Sequence, residues 1–232
     1  MCEDCGCEHD NEKSEIIDVG IDVLAENKKI AAHNRDKLSK LGIVMINLVG
    51  SPGSGKTTLL EKTLPILKEN IKISVIEGDV ETDNDKTRID ALDVPCYQIK
   101  THGACHLDAE MVHKALHKLD FNEALGLIFI ENVGNLICPA LFVLGEDFRV
   151  IVLSVPEGDD KPEKYPEMFY GSDVVVISKM DLIPYVDFDI EKCQKSIMTV
   201  NPKTKIIQFS AKTNEGLNEW MNWLEWAIKK PT

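Results

Sequence analysis

The chain has 232 residues, with 26 Lys and Arg against 39 Asp and Glu, for a formal net charge of −13. That length suits one domain with or without a tail, and the acidic balance argues against a nucleic-acid or anionic-membrane partner. The longest apolar runs are strand-sized, short of the roughly 20 residues that a membrane-spanning helix needs.

Residues 1–13 are polar and rich in Cys, His and acids, and read as a flexible metal-binding tail. They hold neither a basic region nor an apolar core, so no signal peptide is expected and the cytoplasm is the expected compartment. Seven cysteines there read as metal ligands or buried thiols, not as a disulfide framework. Residues 14–42 follow a helical pattern through Ile17, Ile21, Leu24, Ile30 and Leu38, with Ser14 and Glu15 suited to its start and Gly42 to its stop. Apolar runs at Ile43–Val49, Ile71–Ile76, Cys96–Ile99, Leu127–Ile130, Val150–Val155, Val174–Ile177 and Ile206–Phe209 predict strands. Helical patterns fall between them, at Thr57–Lys68, Asp108–Lys118 and Asp189–Val200, and at Asn214–Lys229 after the last. Continuous rather than alternating Val/Ile/Leu runs indicate strands buried on both faces. The strand–helix alternation therefore predicts an α/β, three-layer fold over 14–232, with a mostly parallel sheet of about seven strands, and the glycine-rich loop Gly50–Thr57 after the first strand makes it a P-loop NTPase fold.

Gly50-Ser51-Pro52-Gly53-Ser54-Gly55-Lys56-Thr57 fits G-x-x-x-x-G-K-[ST], between the first strand and a helix. Its backbone N–H groups can turn inward around phosphate oxygens, aided by the helix N-terminus. The expected nucleotide set is Gly50, Ser51, Gly53, Ser54, Gly55, Lys56, Thr57 and Thr58, with Lys56 neutralising phosphate and Thr57 ligating Mg²⁺. Strand 127–130 ends at Glu131, a candidate for the Mg²⁺ shell, and Gly134 follows as a candidate γ-phosphate sensor. Asp79, in Glu77-Gly78-Asp79 at the end of the second strand, can reach Mg²⁺ or an attacking water; Asp83, Asp85 and Arg88 read as solvated charges. Lys56, Asp79 and Glu131 are the expected catalytic groups. Ser178-Lys179-Met180-Asp181 resembles the N/T-K-x-D motif, with Ser in place of Asn, and Ser210-Ala211-Lys212 resembles the S-A-K loop. An Asp181 carboxylate can accept two N–H bonds from guanine, which adenine cannot offer, so GTP and GDP are favoured over adenine nucleotides.

Two cysteine clusters suggest transition metals. Cys2, Cys5 and Cys7 form C-x-x-C-G-C, three thiolates suited to a square-planar Ni²⁺ site with a fourth donor, whereas Zn²⁺ prefers a tetrahedral set. Cys105 and His106 precede a helix, and Cys138 follows the Glu131–Gly134 loop. In a parallel sheet both loops lie at the nucleotide edge, so a three-ligand site with an open position can form there. Cys96 and Cys193 read as structural, His113 and His117 as solvated surface, and Trp220, Trp223 and Trp226 as packing of the last helix.

Together these motifs resemble the hydrogenase nickel-incorporation GTPases, the HypB family in the SIMIBI class of P-loop GTPases. The resemblance runs along essentially the whole chain and includes Cys105-His106-Leu107-Asp108-Ala109, Glu131-Asn132-Val133-Gly134-Asn135, Cys138-Pro139-Ala140 and Glu157-Gly158-Asp159-Asp160-Lys161-Pro162. It implies a GTP-dependent homodimer that delivers Ni²⁺ to the [NiFe]-hydrogenase large subunit with a zinc/nickel metallochaperone (HypA-like) partner. It implies Ni²⁺ or Zn²⁺ at Cys105, His106 and Cys138 near the dimer interface, and a Lys161 that reaches the nucleotide across it. The His-rich tract that some members use for nickel storage is missing here. A urease-type nickel chaperone, a P-loop ATPase or kinase, and a plain nickel buffer are the alternatives. No catalytic Gln or arginine finger stands out, so slow turnover is expected.

Overall fold

A computed structural model describes the backbone of residues 9–119 and 126–230, with side chains from residue 22 onward. Seven strands form one sheet: β1 (Ile43–Val49), β2 (Lys72–Asp79), β3 (Cys96–Lys100), β4 (Gly126–Glu131), β5 (Phe148–Ser154), β6 (Val174–Ser178) and β7 (Lys205–Gln208). All neighbouring strands run parallel, in the order β3-β2-β4-β1-β5-β6-β7. The helices are α1 (His9–Lys40), α2 (Lys56–Leu67), α3 (Asn84–Asp90), α4 (Ala109–Leu116), α5 (Cys138–Leu141), α6 (Lys161–Lys164), α7 (Pro166–Tyr170), α8 (Ile190–Val200) and α9 (Leu217–Lys229).

The continuous apolar runs are where the sheet is covered twice. Every residue of β1, β5 and β6 is buried, while the edge strands β3 and β7 are mostly half-exposed. Alternate side chains feed opposite layers, as the two-residue period of a strand requires. Val44, Ile46 and Leu48 pack with Leu59, Leu60 and Leu64 of α2 and with Trp220 and Leu224 of α9. Ile43 and Met45 pack on the other face with Leu38 of α1 and Val112 and Leu116 of α4. Beyond them, Ile151, Leu153, Val175 and Ile177 meet Phe169 of α7 and Cys193 and Ile197 of α8.

Three expectations need correction. The first helix begins at His9, so it takes in residues 9–13, which composition placed in the tail; its stop is as expected, with Gly42 at φ 69°. The last helix begins at Leu217, because Asn214 (φ 60°) and Gly216 (φ 73°) take left-handed conformations that helix cannot include. Of the three tryptophans, Trp220 and Trp223 are buried and stacked, but Trp226 is 52% exposed and leans on Phe148. Trp220 also donates Nε1–H to Thr63 Oγ1 at 2.8 Å, tying α9 to α2.

α1 is fastened by two buried amides. Asn27 donates to Val143 O (2.8 Å) and accepts from the Ala109 N–H (2.8 Å), a donor in the first turn of α4 with no partner inside that helix. Asn34 donates to Ala109 O (2.9 Å) and Leu144 O (3.2 Å). Gly145, at φ 97°, lets the chain pass so close that a Cβ there would lie 2.4 Å from Ala31 O.

Candidate nucleotide and metal site

A parallel sheet collects its strand ends at one edge, and the loops there can converge on a ligand. The P-loop leaves β1, Asp79 closes β2, Glu131 closes β4, and Lys179, Asp181 and Ser210 follow β6 and β7. A cavity of about 380 Å³ opens at this edge, lined by Gly53, Gly55, Lys56, Thr57, Thr58, Asp79, Glu131, Gly134 and Lys179 among others.

The loop's glycines are required by shape. Gly53 and Gly55 have φ of 74° and 100°, where L side chains are strained, and a Cβ on Gly50 would lie 2.3 Å from Val152 O. Gly134 lies against the loop so closely that a Cβ would meet Pro52 N at 2.8 Å. The Lys56 amine folds back on Gly50 O (3.2 Å) and Ser51 O (3.3 Å), and burial pulls its pKa down. Thr57 Oγ1 donates to Glu131 Oε1 at 2.6 Å. Burial pushes the Glu131 carboxyl up to about 7, with Lys56 opposing, and pushes Glu77 up to about 8. Burial pushes Asp79 up as well, but hydrogen bonds from Thr82 and Glu81 outweigh it, so that carboxyl stays below its ordinary value.

Buried polar atoms without a partner mark where a ligand belongs. Among the described residues, Glu131 Oε2, Glu77 Oε2 and Ser54 Oγ are such atoms. Carboxylate oxygens of Glu77, Asp79 and Asp85 lie within 4.8 Å of one another. Hard oxygens of this kind, with Thr57 Oγ1, fit a Mg²⁺ ion.

Lys179, itself left-handed at φ 60°, donates to Gly53 O at 2.6 Å, and Ser178 Oγ donates to Ser54 O at 2.5 Å. The residue that departs from the usual Asn thus tethers the phosphate loop to β6. Asp181 Oδ1 accepts from Ser210 Oγ at 2.7 Å, which brings the two base-recognition candidates together. Ala211 is half-buried and Lys212 exposed beside them.

Cys105, His106 and Cys138 meet as their spacing suggested. Their ligand atoms all lie within 4.8 Å of one another, and each residue is partly exposed. Cys105 Sγ is 2.7 Å from Cys138 Sγ and 3.8 Å from His106 Nδ1. The contact with Cys105 pushes the Cys138 thiol up, and two sulfurs this close are placed to share one cation. Burial keeps the His106 imidazole below its ordinary pKa, in the neutral form that binds metal, and its ring stacks on Phe142 at 4.0 Å. Cys2, Cys5 and Cys7 lie outside the described residues. Cys193 is buried and Cys96 half-buried; burial pushes both thiols up to about 12, the inert behaviour expected of structural cysteines.

The profile of the CobW/HypB/UreG nucleotide-binding domain family matches residues 44–208. Hydrogenase maturation factor HypB of Azotobacter chroococcum is 48% identical over 213 residues, covering 92% of this chain and 70% of the relative. The chain belongs to the HypB family of hydrogenase maturation factors. The crystal structure of HypB from Archaeoglobus fulgidus superposes with a TM-score of 0.83 at 42% identity, covering 88% of this chain and all of the other. HypB from Helicobacter pylori, in complex with nickel, superposes at 0.82 with 38% identity, covering 88% of this chain and 95% of that one.

Two features of the site carry no sequence motif. Asp85 and Arg88, read as solvated, line the nucleotide cavity. Arg88 is held there by Glu61 (2.7 Å), Asp85 (2.9 Å) and Thr58 Oγ1 (3.0 Å). The only sequence hint was their position six and nine residues after Asp79. The second feature is a buried polar chain. Asn132 accepts from the Leu107 N–H (3.3 Å) and donates to Asn47 (3.3 Å); Asn47 donates to Glu146 (3.2 Å), which is paired with Arg149 (2.7 Å). Arg149 in turn donates to Ala140 O (3.4 Å) and Phe142 O (3.3 Å). No spacing rule flags these residues, because they come from three different strands and their loops.

Proposed function

We propose that this protein is a GTP-hydrolysing nickel metallochaperone whose nucleotide state sets the nickel affinity of Cys105, His106 and Cys138. The observation that carries this reading is a shared acceptor. Gly50 O receives both the Lys56 ammonium and the Asn135 N–H (3.0 Å), and Asn135 Oδ1 receives the Ile137 N–H (2.7 Å), one residue before Cys138. A γ-phosphate that draws Lys56 away changes the charge on the carbonyl that anchors the Cys138 segment. The Asn132 side chain ties the same β4 loop to Leu107, next to Cys105 and His106.

In this reading the P-loop amides and Lys56 hold the phosphates, and Asp181 with the Ser210–Lys212 loop selects guanine. Thr57, Asp79 and Glu131 hold Mg²⁺, which supplies charge neutralisation for phosphoryl transfer. Asp79 orients the attacking water. Hydrolysis releases the loops after Asp79 and Glu131 and lets nickel pass on. The half-exposed metal cluster favours transfer over storage, and the thiolate–imidazole set suits Ni²⁺ or Zn²⁺. Family membership supports a [NiFe]-hydrogenase large subunit as destination, a HypA-like zinc/nickel metallochaperone as partner, a GTP-dependent homodimer in which Lys161 reaches the second nucleotide, and a cytoplasmic setting. The tail cysteines Cys2, Cys5 and Cys7 are a second nickel-binding set.

The test is nickel affinity of the full chain with GDP and with a non-hydrolysable GTP analogue, alongside mass by light scattering. Couplings of this kind run to about 5–150-fold. Equal affinities with no change in mass would sink the switch. ATP competing as well as GTP for a fluorescent guanine analogue would overturn the base assignment.

A further inference from the structure

Three histidines outside the sites above converge where α1 meets α4. His113 lies on α4 and His117, still in helical conformation, caps its C-terminus four residues on, so their rings leave the same face. Their Nε2 atoms lie 3.2 Å apart. Two imidazole nitrogens bound at about 2.0–2.1 Å to one ion are separated by roughly 3.0–3.4 Å for right-angled or tetrahedral geometry, so this pair already has the bite of a chelate. His33 comes across from α1, its ring centroid 5.4 Å from that of His113. Its side chain is exposed, and a change of rotamer would bring a ring nitrogen to an ion held by the other two.

The arrangement has a supporting hydrogen bond of the kind that ligating histidines need. His113 Nδ1 is 2.8 Å from Asn34 Oδ1. The Asn34 amide cannot be turned round, because its NH₂ already donates to Ala109 O and Leu144 O. Asn34 Oδ1 therefore accepts, His113 carries its proton on Nδ1, and the Nε2 lone pair is left facing His117. Burial lowers the His113 pKa, as do His117, His33 and Lys37, against Glu110, so the ring is neutral and competent as a ligand.

We propose that His33, His113 and His117 form an additional, all-imidazole site for a borderline divalent transition-metal ion such as Ni²⁺, clamping α1 to α4. The location is pertinent. α1 leads from the N-terminal cysteines, and α4 leads out of the Cys105–His106 turn. The assignment rests on these side chains alone and is independent of nucleotide-linked delivery.

The experiment is equilibrium dialysis of the full chain against excess Ni²⁺ with metal analysis, read beside the near-ultraviolet thiolate-to-nickel absorption, which reports only cysteine-bound metal. The variants are His117→Ala and His33→Ala; His117 is exposed and its loss leaves the Asn34–His113 bond intact. His117→Ala is expected to weaken one nickel equivalent at least tenfold, with the thiolate absorption unchanged, and His33→Ala to weaken the same equivalent several-fold. Undiminished binding by His117→Ala, or a thiolate absorption that falls with the lost equivalent, overturns the site. Wild-type binding by His33→Ala overturns the three-ligand assignment.

Discussion

A buried ammonium needs partners, and Lys56 has two carbonyl oxygens at 3.2 and 3.3 Å, long for charge-assisted hydrogen bonds. A phosphate oxygen is the better partner. Lys56→Ala should therefore cut GTP-analogue affinity at least tenfold, about 1.4 kcal/mol, without lowering the melting temperature of the nucleotide-free chain. A melting temperature that falls in step with affinity would mean that the amine holds up the loop instead. Glu77 makes a pH prediction. Its carboxyl titrates near 8 in the fold against 4.5 ordinarily. Below 4.5 both folded and unfolded chains hold that proton; from there to about 8 only the folded chain holds it fully, so the unfolded state binds fewer protons. Stability of the nucleotide-free chain thus falls as pH rises through this window, and Glu131, near 7, adds to the fall. Glu77→Gln should flatten the slope, with a gain at pH 8 on the order of a few kcal/mol by denaturant unfolding. An unchanged slope would show that Glu77 ionises normally.

α1 shows what holds an element whose own apolar stripe is thin. Asn34 is fully buried and serves Ala109 O, Leu144 O and the His113 ring at once. Asn34→Ala removes the buried hydrogen bonds to Ala109 O, Leu144 O and the His113 ring and should destabilise the chain by about 1–3 kcal/mol, while nucleotide affinity stays as it was. A loss of GTP binding comparable to the loss of stability would place α1 within the nucleotide machinery. Elements also mark how far sequence reading reached. The bounds of β1 were legible to the residue, because a run buried on both faces stands out from its neighbours. α3 was not: in Asn84–Asp90 only Ile89 is buried, too little for a period to show. α5, α6 and α7 are four or five residues long, barely one helical turn, so no period can recur in them. The site divided along the same line. The phosphate-loop motif and the clustering of Cys105, His106 and Cys138 were legible because each residue type is chemically unusual at its spacing. Asp85 and Arg88 were not, because a charged surface turn and a cavity wall have the same composition.

At the scale of the whole molecule, one buried polar chain spans the distance between the P-loop edge and both halves of the Cys105/His106/Cys138 cluster. Asn132 reaches Leu107 on the Cys105–His106 side, and through Asn47, Glu146 and Arg149 it reaches the carbonyls of Ala140 and Phe142 on the Cys138 side. Such a network transmits only if its members have two arrangements that ligands distinguish, so contiguity alone does not establish coupling. The β4 loop is the element that GTP and GDP would bias, since Glu131 bonds Thr57 and Gly134 presses on Pro52. Asn132→Ala removes the link while leaving every expected nucleotide and metal ligand in place. It should keep GTP and Ni²⁺ binding measurable but reduce the ratio of nickel affinities in the GDP and GTP-analogue states to within about twofold of one, against the 5–150-fold typical of coupled sites. Calorimetric titrations of the variant in each nucleotide state decide it. A ratio equal to wild type would mean that the signal travels through Gly50 and Asn135 alone, leaving the Asn132 chain as a structural brace.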